Sequence, residues 1–326
     1  MLRNLHGVTL AVASFLAATP VTALGTCASG RYTSCLDANA LWLRPGESEF
    51  SSVAGARALD ANVSVRAGIS AIERPLVLEV AAPGSGRELA LVERAFDQHL
   101  LLSFGLSERL QLGLALITVL WQSGSGPAAV QSQTGPRIEQ TAVRDPRVGI
   151  AVTLVDVPEA ALSLRADVAA PLGDHDAFAG TGSFTFAPSA TARVKTGAFI
   201  VGGELGARLR PTVELGNLRH GSQLYAAAGI AVSLLPELQL AIEGFAFPSL
   251  IDSSSESAEK LGVSVRALPS EWLSSIRYTP RPRLTTTLAI GSGLPSSSET
   301  RGGKREHFLG PTSPEFRALL DVGYAY

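Results

Sequence analysis

Cysteine, methionine and histidine are scarce in this chain: two, one and five among 326 residues. That leaves little material for thiol or metal chemistry. No HExxH or CxxC spacing occurs, so no zinc site can be argued, and no metal is expected. Asp174-His175-Asp176 offers three ligand types in succession, but adjacent loop residues rarely converge on one ion, and a solvated loop is the expectation. His99, His220 and His307 are scattered, and His6 lies near the start. Gly124-Ser125-Gly126 and Gly291-Ser292-Gly293 do not continue into a phosphate-binding or dinucleotide loop, so no cofactor is expected. The Gly-x-Ser-x-Gly elbow is missing, and no serine or aspartate is visibly paired with a histidine. The chain is therefore not expected to be an enzyme. Charge of one sign is lacking too. Lys and Arg number 27 against 29 Asp and Glu, which excludes the basic face that nucleic acid requires.

Long apolar runs are also missing beyond the first residues, although the mean hydropathy is positive with 17% of residues charged. Residues 1–23 carry Arg3, an apolar stretch from Val8 to Ala18, Pro20 and the small-x-small pattern Val21-Thr22-Ala23. That is the pattern of a cleaved signal peptide. A membrane anchor would need about 20 uninterrupted apolar residues, and Thr9, Ser14, Thr19 and Pro20 interrupt this run. Cys27 and Cys35 follow closely and are expected to form a small disulfide loop in an oxidising compartment. The alternative is a lipid-modified Cys27, for which Thr26 is a poor preceding residue. No linker rich in Pro, Gly and Ser separates independent cores. The expected organisation is an N-terminal segment 24–61 and one large unit, 62–326.

What is present is alternation. Leu110, Leu112, Leu114 and Leu116 share one face of a strand while Gln111, Gly113 and Ala115 take the other. Leu162, Leu164, Ala166 and Val168 oppose Ser163, Arg165 and Asp167, and Leu224, Ala226, Ala228 and Ile230 oppose Gln223, Tyr225 and Gly229. Connections alternate between tight ones, at 106–109, 156–159, 195–197, 235–237 and 280–283, and long polar ones at about 122–145, 172–183, 211–222, 249–260 and 292–314. Short inner turns and long outer loops are the mark of an outer-membrane barrel. The fold class expected is all-β, an antiparallel up-and-down transmembrane β-barrel. Its strands fall at 62–81, 88–106, 109–122, 146–156, 160–171, 184–195, 198–210, 223–235, 237–248, 261–279, 283–291 and 315–326. That is twelve, with ten to fourteen compatible with the turns. A soluble secreted β-rich binding protein would also alternate, and aromatics at 6% are few for a barrel with interfacial girdles.

Strand parity turns Arg165, Asp167, Arg193, Lys195, Glu204, Arg208, Arg210, Glu243, Arg277 and Arg317 toward the lumen, together with Arg66, Arg266 and Asp321. Each Arg or Lys facing lipid at mid-membrane would cost about 2–4 kcal/mol. Inward, they form either a selectivity lining that favours anions or ion pairs that close a narrow barrel.

The last strand, Phe316 to Tyr326, alternates and stops on an aromatic, which resembles the C-terminal signal read by the barrel-assembly machinery. Tyr324 and Tyr326 are its key residues. Ala169-Ala170-Pro171-Leu172-Gly173-Asp174, with Phe178 and Gly180, resembles a strand-to-loop pattern of channel-like barrels associated with aromatic-compound degradation. Asn39-Ala40-Leu41-Trp42-Leu43-Arg44-Pro45-Gly46, Asp145-Pro146-Arg147-Val148-Gly149 and Glu315-Phe316-Arg317-Ala318-Leu319-Leu320 are similar to the N-terminal barrels of proteins like outer-membrane protein A. This chain ends at Tyr326 without the peptidoglycan-binding domain those proteins carry. The expectation is therefore a barrel in the bacterial outer membrane, with lipid and the assembly machinery as its partners. Its first expected role is a passive channel for small solutes, and the alternative is a structural or surface-interaction barrel with a plugged lumen. A lumen filled by residues 24–61 and crossed by Arg–carboxylate pairs would favour the plug.

Overall fold

A computed structural model of the chain describes residues 34–57, 63–80, 87–127, 129, 138–215, 218–250, 268–300, 303–309 and 312–326. The expected signal peptide, Cys27 and Arg266 lie outside the described residues. Strands β1 (Val63–Val80), β2 (Arg87–Gly105) and β3 (Leu110–Gly124) lead to a strand in two pieces, β4 (Ile138–Val143) and β5 (Arg147–Val157). Then follow β6 (Ala160–Ala169), β7 (Thr185–Thr196), β8 (Phe199–Arg208) and a small hairpin, β9 (Val213–Leu215) and β10 (Leu218–His220). The remaining strands are β11 (Gln223–Leu235), β12 (Leu238–Ala246), β13 (Ser270–Arg281), β14 (Leu284–Gly293), a second hairpin β15 (Pro295–Thr300) and β16 (Gly303–Leu309), and β17 (Phe316–Ala325). Every pairing is antiparallel, and β17 joins both β14 and β1. Counting β4 and β5 as one, twelve strands close on themselves without an edge.

The outer surface explains the alternation. Val148, Ile150, Leu164, Val201, Ile230, Ile242, Leu288 and Val322 are exposed around the wall while their sequence neighbours are turned inward. The few exposed aromatics sit at the two rims. Phe199, Tyr278, Tyr324 and Tyr326 lie at the short-turn end, and Trp121, Phe184, Phe186 and Phe316 at the long-loop end. About ten residue-to-residue steps of β7 lead from Phe186 to Thr196; at about 3.4 Å per step and a tilt near 40°, they span roughly 26 Å, the height of an outer-membrane apolar band. The 6% of aromatics is thus enough, because they are placed where ring amphipathicity counts.

Three departures from the sequence expectation concern the outer side. The stretch 122–145 is not all loop, since β4 extends the β5 wall upward past a break at Arg144-Asp145-Pro146, where Pro146 has no N–H to offer the ladder. The stretches 211–222 and 292–314 each contain a hairpin. The loop after β6 does not project outward: Ala177, Phe178 and Ala179 are fully buried against Val119, Ala142 and the segment 36–38. Asp145 pins this loop by accepting from the Gly173 and Thr181 N–H groups, each at 2.8 Å, and from Thr181 Oγ1 at 2.8 Å.

Candidate functional site in the barrel lumen

A closed barrel of twelve strands has its Cα atoms about 12 Å from the axis at ordinary strand spacing and tilt. After side chains, that leaves room for one further stretch of chain. Residues 34–57 occupy it. They form neither helix nor strand. Ser34 meets Asp176 of the inward loop, and the Ala38 N–H donates to the Phe178 carbonyl at the outer mouth. Arg57 pairs with Asp156 at the short-turn end, 2.9 Å away. The segment therefore threads the whole lumen before β1 begins.

Wall side chains hold it by its backbone. Arg208 donates to the Ala40 carbonyl (2.9 Å), Arg147 to Leu43 (3.1 Å), Arg66 to Arg44 (2.7 Å) and Arg165 to Pro45 (3.3 Å). Arg277 reaches the Ser48 carbonyl and Tyr225 that of Ser52. Acidic wall groups take the segment's N–H groups. Glu243 accepts from Ser51 N (2.9 Å), Ser52 N (2.7 Å) and Ser52 Oγ (2.6 Å), and Glu204 accepts from Ala54 N (2.8 Å). Unpaired peptide groups in a dry lumen would be costly, so an irregular segment needs this many polar wall partners.

Charge pairs add to the backbone contacts. Arg44 reaches Asp167 at 2.5 Å and Glu204 at 3.2 Å, and Arg193 meets Glu49 at 2.7 Å. Asn39 bridges Asp97 (3.0 Å) and Arg317 (3.1 Å). Other pairs belong to the wall alone: Arg317 with Glu271, Arg144 with Asp97, Arg165 with Asp167 and His99 with Asp321. Leu41, Leu43, Phe50 and Val53 of the segment are buried with Leu101, Ile200, Tyr225, Phe245 and Phe247 of the wall. Phe50 has space because Gly202 and Gly229 face it from neighbouring strands. A Cβ on either would come within 2.6 Å of its ring.

Of the residues expected to line the lumen, Arg165, Asp167, Arg193, Glu204, Arg208, Glu243 and Arg317 are buried inside the barrel. Arg277 is half-buried near the short-turn end. Lys195 is exposed at that end, on the rim of a cavity of about 270 Å³ that Glu49, Arg193 and Arg277 also line. Arg210 lies just past β8 at the outer end, where it meets Gln223 at 2.8 Å and the His220 ring. Burial and the neighbouring Arg210 and Arg208 hold that ring neutral, so it accepts from Arg210. Tyr324 and Tyr326 are exposed on the outer surface, ring centroids 5.0 Å apart. Cys35 is in a disulfide.

Several lumen groups went unassigned in the sequence reading. Asp97 and His99 share the inward parity of Leu101 on β2, and Glu271 that of Arg277 on β13, so parity alone identifies them. Arg144 falls in the expected loop 122–145, and Arg147 opens the expected strand 146–156 with the inward parity of Gly149, so parity identifies it too. Arg44 has no strand to give it parity.

The closed wall, its two aromatic rims and its apolar outer face define an outer-membrane β-barrel. Comparison with solved structures agrees. The COG4313 outer membrane channel from Pseudomonas putida F1 superposes with a TM-score of 0.57 at 14% identity, covering 86% of this chain and 100% of that one. The NanC porin (TM-score 0.46, 9% identity, 81% and 100% covered) and the P. putida toluene transporter TodX (0.45, 10%, 82% and 91%) are more distant in shape. At such identities the likeness speaks for the fold alone, and the first of the three carries it. The neighbours are channel barrels, and no link to the barrels of proteins like outer-membrane protein A is shown. No protein-family model and no curated protein matches the chain.

Proposed function

We propose that this barrel is an outer-membrane channel for small solutes, held shut by residues 34–57. The supporting observation is a surplus of inward polarity. Even with the segment seated, Thr185 Oγ1, Ser189 Oγ, Thr191 Oγ1 and Arg193 Nη1 on β7 are buried without a protein partner, and so are Nε and Nη2 of Arg208. Such groups need partners, because each buried unsatisfied polar atom costs about 1–3 kcal/mol. A water-filled lumen would satisfy all of them. The wall closes through its own strand ladder and does not need the segment for its hydrogen bonds. Withdrawal would expose a lining in which arginines modestly outnumber carboxylates, and would favour anions over cations.

The filled lumen also supports a second reading, a barrel permanently plugged for a structural role. The two differ in one respect, whether the segment leaves. Single-channel recording of the refolded protein in planar bilayers separates them. Stable anion-selective steps whose frequency rises when Glu204 and Glu243 are both changed to glutamine support the gated channel. A folded double variant without current supports the plug.

A further inference from the structure

Arg208 is 4% exposed, and among the described residues no carboxylate lies within salt-bridge distance of it. Its Nη1 donates to the Ala40 carbonyl, and among the described residues Nε and Nη2 have no partner. Arg147, equally buried, donates to the Leu43 carbonyl. Both guanidiniums lie over the Trp42 ring, at 4.2 Å for Arg208 and 4.7 Å for Arg147, and Arg208 also covers Phe247 at 4.1 Å. Arg210 lines the same small opening of about 20 Å³, together with Thr185 and Gln223. The two carboxylates there are already engaged: Asp37 by Arg144, and Asp145 by the Gly173 and Thr181 groups.

Buried cations are normally matched by an acid, because an uncompensated charge is strongly destabilising. Ring faces and two carbonyls compensate in part. A carboxylate meets the rest, since a guanidinium fork matches its two oxygens. We propose that Arg147, Arg208 and Arg210 form a binding site for the carboxylate group of small organic acids in the outer half of the lumen, covered in the closed state by Trp42. The opening beside Trp42 admits little more than one water-sized group, so a full carboxylate enters as the indole yields its place against the two guanidiniums. That these acids are the channel's solutes rests on the channel reading; the binding itself does not.

The test is ¹⁹F NMR of fluoroacetate added to the folded full chain in detergent. Saturable line broadening is expected, with acetate displacing the probe. Arg208→Gln and, separately, Arg147→Gln should each weaken the apparent affinity at least tenfold. Trp42→Ala should strengthen it several-fold, because the cover is gone. Heat-modifiable gel mobility verifies that each variant remains a closed barrel. No saturable broadening overturns the proposal, as does affinity unchanged in both arginine variants. Chloride displacing fluoroacetate as effectively as acetate overturns the carboxylate assignment. Because no current is measured, a barrel that binds fluoroacetate but never conducts keeps this site and loses the channel reading, and the reverse result does the opposite.

Discussion

Glu243 offers the sharpest handle on the segment. Its carboxylate, 3% exposed, accepts three hydrogen bonds from Ser51 and Ser52 at 2.6–2.9 Å. A hydrogen bond to a charged group contributes about 1.5–3 kcal/mol net, but three sharing one carboxylate are not additive. A floor of about 3 kcal/mol for the set is therefore reasonable. Glu243→Ala leaves two peptide N–H groups buried without partners while the segment is seated and costs nothing comparable once it has left. The seated-to-withdrawn ratio should then fall about a hundred-fold, at tenfold per 1.4 kcal/mol. Glu243→Gln keeps one neutral acceptor oxygen, for Ser52, but turns its NH2 toward the Ser51 N–H, so the ratio should shift by about ten- to a hundred-fold. Asp156→Asn weakens the partly exposed Arg57 pair, worth about 0–1 kcal/mol, and should leave the ratio nearly unchanged. The assay is open probability in planar bilayers at fixed voltage, with gel mobility confirming the barrel. If all three variants, folded, open equally often, the segment does not gate the lumen through these bonds.

Gly229→Ala would drive a methyl into the Phe50 ring and undo a burial worth about 2–3 kcal/mol. Limited proteolysis should then cut within residues 34–57 at least ten times faster than in the parent, and an unchanged rate would contradict the packing. Leu164→Arg places a cation on the lipid face of β6 and should lower stability by about 2–4 kcal/mol in urea titrations with lipid vesicles. Ser163→Ala, one residue away on the inner face, should change it by less than about 1 kcal/mol. Asp145→Ala removes the carboxylate that accepts three hydrogen bonds from the loop after β6, and hydrogen exchange at the Gly173 and Thr181 amides should accelerate at least tenfold.

The wall was legible because a strand facing lipid on one side and a lumen on the other must alternate at every step. The expected strands at 160–171 and 223–235 meet the observed Ala160–Ala169 and Gln223–Leu235 within two residues. Arg165 and Asp167 could be turned inward from parity, because the alternative was a charge in hydrocarbon. Parity gives no guidance where regular structure stops. Arg44, Asp37 and Trp42 lie in a segment without a period, and their places follow from contacts with Asp167, Arg144 and Arg208, each distant in sequence. The expected loop ends at 145 and the next strand starts at Pro146, so the sequence hides β4, which continues the same wall on the other side of the break. The β6–β7 loop is polar in composition, yet it buries Phe178 at the mouth because the segment's Leu36 and Ala38 give that ring an apolar surface.

The most direct test of gating by residues 34–57 is to tether the segment and record current. With Ser52→Cys and Glu243→Cys joined by a reducible thiol-to-thiol bridge, the barrel should be silent in a planar bilayer. Reductant should then restore anion-selective steps, more frequent than in the parent because the Glu243 bonds are gone. Equal conduction before and after reduction would show that the segment does not obstruct the path, and silence in both states would show that there is no path to obstruct.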